Sequence, residues 1–232
     1  MPAFLDLEVP DEPLVPIVEA PKEVVAIQKA ISKDAQMLVD HPIAKKYAGL
    51  VEKSEGKFYS SLERPLLETV SNVLSEQLEE NADVVFLIDH TSSMEDDIEE
   101  VRSGMTTIME GLSKKKGVRA GIVTFSDVKS GSRFGYCARG LSNDFMGMAD
   151  FLAKIELLGS VEDVYGAIWK TVDEFAWESK NKRLIVIISD EKPACCEESD
   201  FSEEDVIAKC AKHNIDTNLY PILVDKYKSA RK

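Results

Sequence analysis

No stretch of this chain is apolar for anything near the ~20 residues that a membrane-crossing helix needs. The opening residues, Met1-Pro2-Ala3-Phe4-Leu5-Asp6, also lack the basic start and long apolar core of a secretory leader, so a cytoplasmic protein is expected. Cysteine is scarce. Four in 232 residues, with no C-x-x-C spacing, exclude a disulfide-built scaffold. Positive charge is in deficit too: 28 Lys and Arg stand against 42 Asp and Glu, and the net charge of −14 argues against nucleic acid and anionic membrane as partners. What is present is 44% hydrophobic residues, enough for one sizeable core with an appendage but not for two full domains.

The appendage is read at the amino-terminal side. Pro10, Pro13 and Pro16 among acidic residues predict an extended arm, apart from a short strand at 4–9. Val24, Ile27, Ile31, Met37 and Leu38 predict one or two helices, with another short piece from Pro42. Pro65 suits a first helical turn, and Leu67, Val70, Val73, Leu74 and Leu78 form the apolar face of the helix it begins. Residues 1–80 are thus predicted to be a largely helical arm packing on a main domain of 81–228.

In that main domain strands alternate with helices. Strands are predicted at 83–89, 118–125, 183–189 and 217–224. The strand at 134–141 follows the short turn Ser130-Gly131-Ser132, which leaves no room for a helical crossover, so it runs antiparallel and belongs at an edge. Helices are predicted with Ile98, Val101, Met105, Ile108 and Leu112 on one face, with Phe145, Met148, Phe151, Leu152 and Ile155, with Val164, Ile168, Val172 and Phe175, and over 203–213 with Val206, Ile207 and Cys210. The predicted fold class is α/β: a doubly wound, mostly parallel sheet with one antiparallel edge strand.

The run Val84-Val85-Phe86-Leu87-Ile88 leads into Asp89-His90-Thr91-Ser92-Ser93-Met94, placing a carboxylate and hydroxyls on the turn at the carboxyl end of a buried strand. Ligand sites of open α/β sheets gather there. Hard oxygen donors suit Mg²⁺, or Mn²⁺ in its place. The plainer alternative is a cluster capping the next helix. A second apolar run, Leu184-Ile185-Val186-Ile187-Ile188, ends in Ser189-Asp190, and in a parallel sheet both strand ends open on the same edge, so two carboxylates are expected to converge. His90 is read as a surface or packing residue, Cys137 and Cys210 as small apolar residues, and the adjacent Cys195-Cys196 as lying in the loop beyond Asp190.

These elements in this order resemble the von Willebrand factor A domain, a Rossmann-like fold with a metal-ion-dependent adhesion site, over residues 83–225. Asp89, Thr91 and Ser93 stand at its D-x-S/T-x-S positions, and Asp190 stands at its later strand-end Asp. The stretches Val118-Arg119-Ala120-Gly121-Ile122-Val123-Thr124-Phe125-Ser126-Asp127 and Val161-Glu162-Asp163-Val164-Tyr165-Gly166-Ala167-Ile168, with Trp177, are similar to the A domains found beside alpha-kinases and in their bacterial relatives. The resemblance implies that Thr91 and Ser93 bind the cation directly, that Asp89 and Asp190 do so directly or through water, and that a partner protein presents an Asp or Glu to it. The family's middle loop adds a Thr or an Asp. Here Ser160 is the candidate and Asp163 the substitute. The family's last strand and helix have no counterpart after 217–224, and the arm is expected to fill that edge with 4–9 or with the helix from Pro65.

A non-enzymatic interaction module is the function so implied. A phosphatase of the haloacid dehalogenase type would use Asp89 as nucleophile, but it needs a second Asp two residues on, where Thr91 stands. A scaffold domain with a degenerate metal site is the remaining alternative.

Overall fold

The computed structural model describes residues 47, 59–60, 66–78, 80–128, 135–190, 199–215 and 219–223. In chain order the elements are β1 (Tyr59–Ser60), α1 (Leu66–Gln77), β2 (Ala82–Asp89), a 3₁₀ turn (Ser92–Asp96), α2 (Ile98–Leu112), β3 (Arg119–Phe125), β4 (Tyr136–Ser142), α3 (Phe145–Ala153), α4 (Val164–Glu174), β5 (Lys182–Ser189), α5 (Glu203–Lys212) and β6 (Leu219–Leu223). They build one sheet in the order β1-β6-β5-β2-β3-β4. All neighbours are parallel except β3 and β4, so the antiparallel strand sits at the edge as expected.

Burial follows from sequence. Every residue of β2 is buried, which a continuous apolar run tolerates only in a strand covered on both faces. On one face Val84, Phe86 and Ile88 of β2 pack with Val70, Val73 and Leu74 of α1, Val101, Met105 and Ile108 of α2, and Met148 and Leu152 of α3. The opposite face packs Val85 and Leu87 against Ile168 and Val172 of α4 and Val206 and Cys210 of α5. Cys210 is buried, and Cys137 lies half-buried in β4. Cys195, Cys196 and the strand expected at 4–9 fall outside the described residues, as do the helices expected in 21–50, residue 47 excepted.

The edge beside β6 is taken by Tyr59–Ser60, in parallel register with Ile222 and Leu223. A two-residue strand has no alternation to read, so sequence offered no sign of it. Gly121 of β3 lies where the β3–β4 register shifts. A Cβ there would stand 2.6 Å from the Phe175 ring, so the missing side chain lets the end of α4 close on the sheet.

The crossover β2-α2-β3 moves one way along the sheet and β5-α5-β6 the other. Right-handed crossovers running in opposite directions put their helices on opposite faces, and the strand order reverses between β5 and β2. Both carboxyl ends flank that reversal. At the amino edge, buried Asp83 is held by Arg119 through Nε (2.8 Å) and a second guanidinium nitrogen (2.7 Å), by the Glu178 amide (2.7 Å) and by the Asn181 side chain (2.9 Å). No helix among the described residues is long and apolar enough to cross a membrane.

Candidate metal centre

Ile88 and Ile188 stand opposite each other at the last β2–β5 pair, so Asp89 and Ser189-Asp190 leave the sheet side by side. The Thr91 amide donates to Asp89 Oδ1 at 2.8 Å, closing a tight Asp-led turn. That turn also brings Thr91 Oγ1 to 2.8 Å from the same oxygen. The 3₁₀ turn then sets Ser93 Oγ 2.9 Å from Thr91 Oγ1, and Ser93 Oγ donates to Asp190 Oδ1 at 2.9 Å across 97 residues of sequence. From β5, Ser189 Oγ donates to Asp89 Oδ2 at 2.7 Å. Asp89, Thr91, Ser93 and Asp190 are thus brought together.

The hydroxyls of this turn are not spent on capping. Neither Thr91, ahead of the 3₁₀ turn, nor Asp97, ahead of α2, makes a side-chain cap bond. Three oxygen contacts link Asp89 to Thr91, Thr91 to Ser93 and Ser93 to Asp190, yet the two hydroxyls between them carry only two hydrogens. With both carboxylates ionised, one contact has no hydrogen in it. A cation among the oxygens removes that deficit, and so does a proton on Asp89, whose carboxyl burial raises to about 6. The separations of 2.8–2.9 Å also match the ~3.0 Å between neighbouring corners of an octahedron with Mg–O bonds of ~2.1 Å. Among the described residues no three His, Cys, Asp or Glu gather as a metal site, so a cation held here would draw on hydroxyl or water oxygens beside the two carboxylates. The residues fit a hard cation.

Asp89, Thr91 and Asp190 are buried, while Ser93 is half-buried and opens the cluster toward solvent. Burial raises the Asp89 carboxyl from its ordinary 3.8 to about 6, against hydrogen bonds from Thr91 and Ser189 that lower it, and the Asp190 charge adds to the rise.

The middle loop is stapled to the Asp89 turn. Leu158 N donates to His90 O at 2.8 Å, and Ser92 donates to Gly159 O through its amide at 3.1 Å and its hydroxyl at 3.0 Å. Gly159 takes φ of +88° there, a conformation open to glycine. Ser160, next along, is exposed at the rim. Asp163 turns inward and is spent on α4, accepting from the Gly166 amide at 2.8 Å and from the Ser199 hydroxyl. His90 is buried, in keeping with a packing role.

Two members escaped sequence reasoning. Ser189 had a signal, being the hydroxyl just before the strand-end Asp190. Tyr47 had none: it is 2% exposed and hydrogen-bonds Ser189, and burial, with the nearby Asp89 charge second, pushes its phenol far above the ordinary value.

The family model of the von Willebrand factor type A domain matches residues 83–227, more than half of the chain. None of the curated proteins matches it. Among solved structures the chain is similar to the pilus adhesin SpaC of Lactobacillus rhamnosus GG, at 20% identity over 50% of this chain and 16% of that one, with a TM-score of 0.40. It is also similar to the vWF domain of the type V pili tip protein Mfa5 of Porphyromonas gingivalis, at 16% identity over 49% of this chain and 38% of that one, TM-score 0.39. Proximal thread matrix protein 1 of the mussel byssus is 14% identical over 63% of this chain and 38% of that one, TM-score 0.45. The chain therefore spans far less than two thirds of these proteins. The parallel sheet, the oxygen cluster at its carboxyl edge and the match over residues 83–227 agree: the chain belongs to the von Willebrand factor type A domain family.

Proposed function

We propose that this chain is a non-enzymatic, cytoplasmic protein-interaction module that holds Mg²⁺, or Mn²⁺, with Asp89, Thr91, Ser93 and Asp190 and uses it to capture an Asp or Glu of a partner protein. The observation that carries the reading is the unbroken run of close oxygen contacts from Asp89 through Thr91 and Ser93 to Asp190. Asp89 and Asp190 nearly neutralise a divalent ion, while the neutral hydroxyls of Thr91 and Ser93 leave it able to attract an outside carboxylate. Ser93, half-buried, marks the side from which that carboxylate arrives. Ser160, exposed beside the stapled loop, is the candidate for a further oxygen. No carboxylate stands two residues after Asp89 for acid–base work, which disfavours the phosphatase alternative.

The test is calorimetric titration with Mg²⁺ and Mn²⁺ of the wild type, Asp89→Ala and Ser93→Ala, followed by capture of partners with and without chelator. Binding by the wild type, with at least tenfold loss in both variants, supports the reading. Equal responses from all three proteins would sink it. A scaffold with a degenerate site is the second reading, favoured by one observation: Asp163, the loop's carboxylate, is committed to capping α4.

A further inference from the structure

The Ser189 hydroxyl has a single hydrogen, and it goes to Asp89 Oδ2 at 2.7 Å. The Tyr47 phenol hydrogen-bonds the same serine oxygen. With its hydrogen committed, Ser189 accepts in this second bond and Tyr47 donates. Tyr47 belongs to the apolar cluster on the face of α4 and α5, beside Leu87, Ile187 and Ile168, so its ring is anchored by packing. Meanwhile Asp89 Oδ1 is held by the amide and hydroxyl of Thr91. The two oxygens of Asp89 therefore have separate holders, and that of Oδ2 is itself held.

We propose that Tyr47, which lies ahead of the family's span of 83–227, is a positioning residue of the metal centre, locking the Ser189 hydroxyl onto Asp89 so that the carboxylate keeps one orientation. The proposal rests on the cation reading above. A serine hydroxyl that accepts from a buried phenol is polarised into a stronger donor and loses its freedom to rotate elsewhere. Partners that orient a metal-ligating side chain commonly govern affinity by about 10–100-fold. The upstream segment thereby supplies part of the site.

The experiment compares the full chain as wild type, Tyr47→Phe, Ser189→Ala and the double variant, by Mg²⁺ calorimetry and by thermal melting in chelator. Tyr47→Phe keeps the ring and removes only the hydroxyl, so the fold survives. Each single change is expected to weaken Mg²⁺ binding about tenfold, with the double variant no weaker than either single one, because both break one chain of bonds. A Tyr47→Phe protein that binds Mg²⁺ like the wild type, or a double variant whose loss is the product of the two, overturns the inference. If the wild type takes up no Mg²⁺, the cation reading falls by itself and the melts decide: equal, non-additive drops of a few degrees keep the Tyr47–Ser189 lock, whereas additive drops or none refute it.

Discussion

At Asp89 burial outweighs hydrogen bonding from Thr91 and Ser189, and the carboxyl rises to about 6. A carboxyl raised by folding favours the protonated native state. Its stabilisation of the metal-free protein is therefore complete below the ordinary 3.8 and disappears as pH climbs through about 6, a swing on the order of 3 kcal/mol. Melting in chelator from pH 4 to 7 should show wild-type stability falling relative to Asp89→Asn, which cannot ionise. Parallel pH curves for the two proteins would contradict this account. Mg²⁺ needs the ionised form, so its affinity should rise over the same window, measured by titration at pH 5 and pH 7. The Asp-x-Thr-x-Ser spacing was legible at this scale because one turn holds it. That Thr91 and Ser93 bridge two carboxylates was not, since the chain of contacts needs Asp190 in place.

Among the elements, α4 shows how one carboxylate is diverted from the site. Asp163 caps it through the Gly166 amide, and a Cβ at position 166 would stand 2.2 Å from an Asp163 oxygen, so the spacing Asp-x-x-Gly is matched to the cap. Asp163→Ala should cost about 1–2 kcal/mol while leaving the Mg²⁺ dissociation constant within about twofold. Ser160→Ala should do the reverse, weakening Mg²⁺ binding with no change in melting temperature, since Ser160 is exposed. Paired melts and titrations separate the two, and a large affinity loss in Asp163→Ala would reassign the ligand. Sequence left Ser160 and Asp163 open because cap and ligand draw on the same oxygen chemistry. α5 carries its signal openly: Ser202 and Asp205 form a capping box, each side chain receiving the other's backbone hydrogen.

Across the whole molecule the sheet sets a buried ion pair at one edge and the candidate metal centre at the other. Asp83 lies at the amino edge with four donors, and the candidate centre lies at the carboxyl edge. Replacing Asp83 by Ala strips Arg119, Asn181 and the Glu178 amide of their buried acceptor and should destabilise the fold by roughly 3–5 kcal/mol. Denaturant unfolding measures that loss. Below the melting temperature the variant should still take up Mg²⁺ normally, and a matching loss of Mg²⁺ affinity would show that the two edges are coupled.

Among the described residues from Leu66 onward, sequence alone determined which segments become strands and helices, and which turn carries the acid and hydroxyls, because apolar period and turn chemistry act between residues a few positions apart. It also indicated that Asp89 and Asp190 share an edge, since strands joined by helical crossovers run parallel. Tertiary structure alone decided that Ser189 reaches Asp89, that Tyr47 stands behind it, that Asp163 turns to α4 and that Tyr59–Ser60 pairs with β6. These contacts join residues with no shared local pattern, and they exist only once packing has brought distant parts of the chain together.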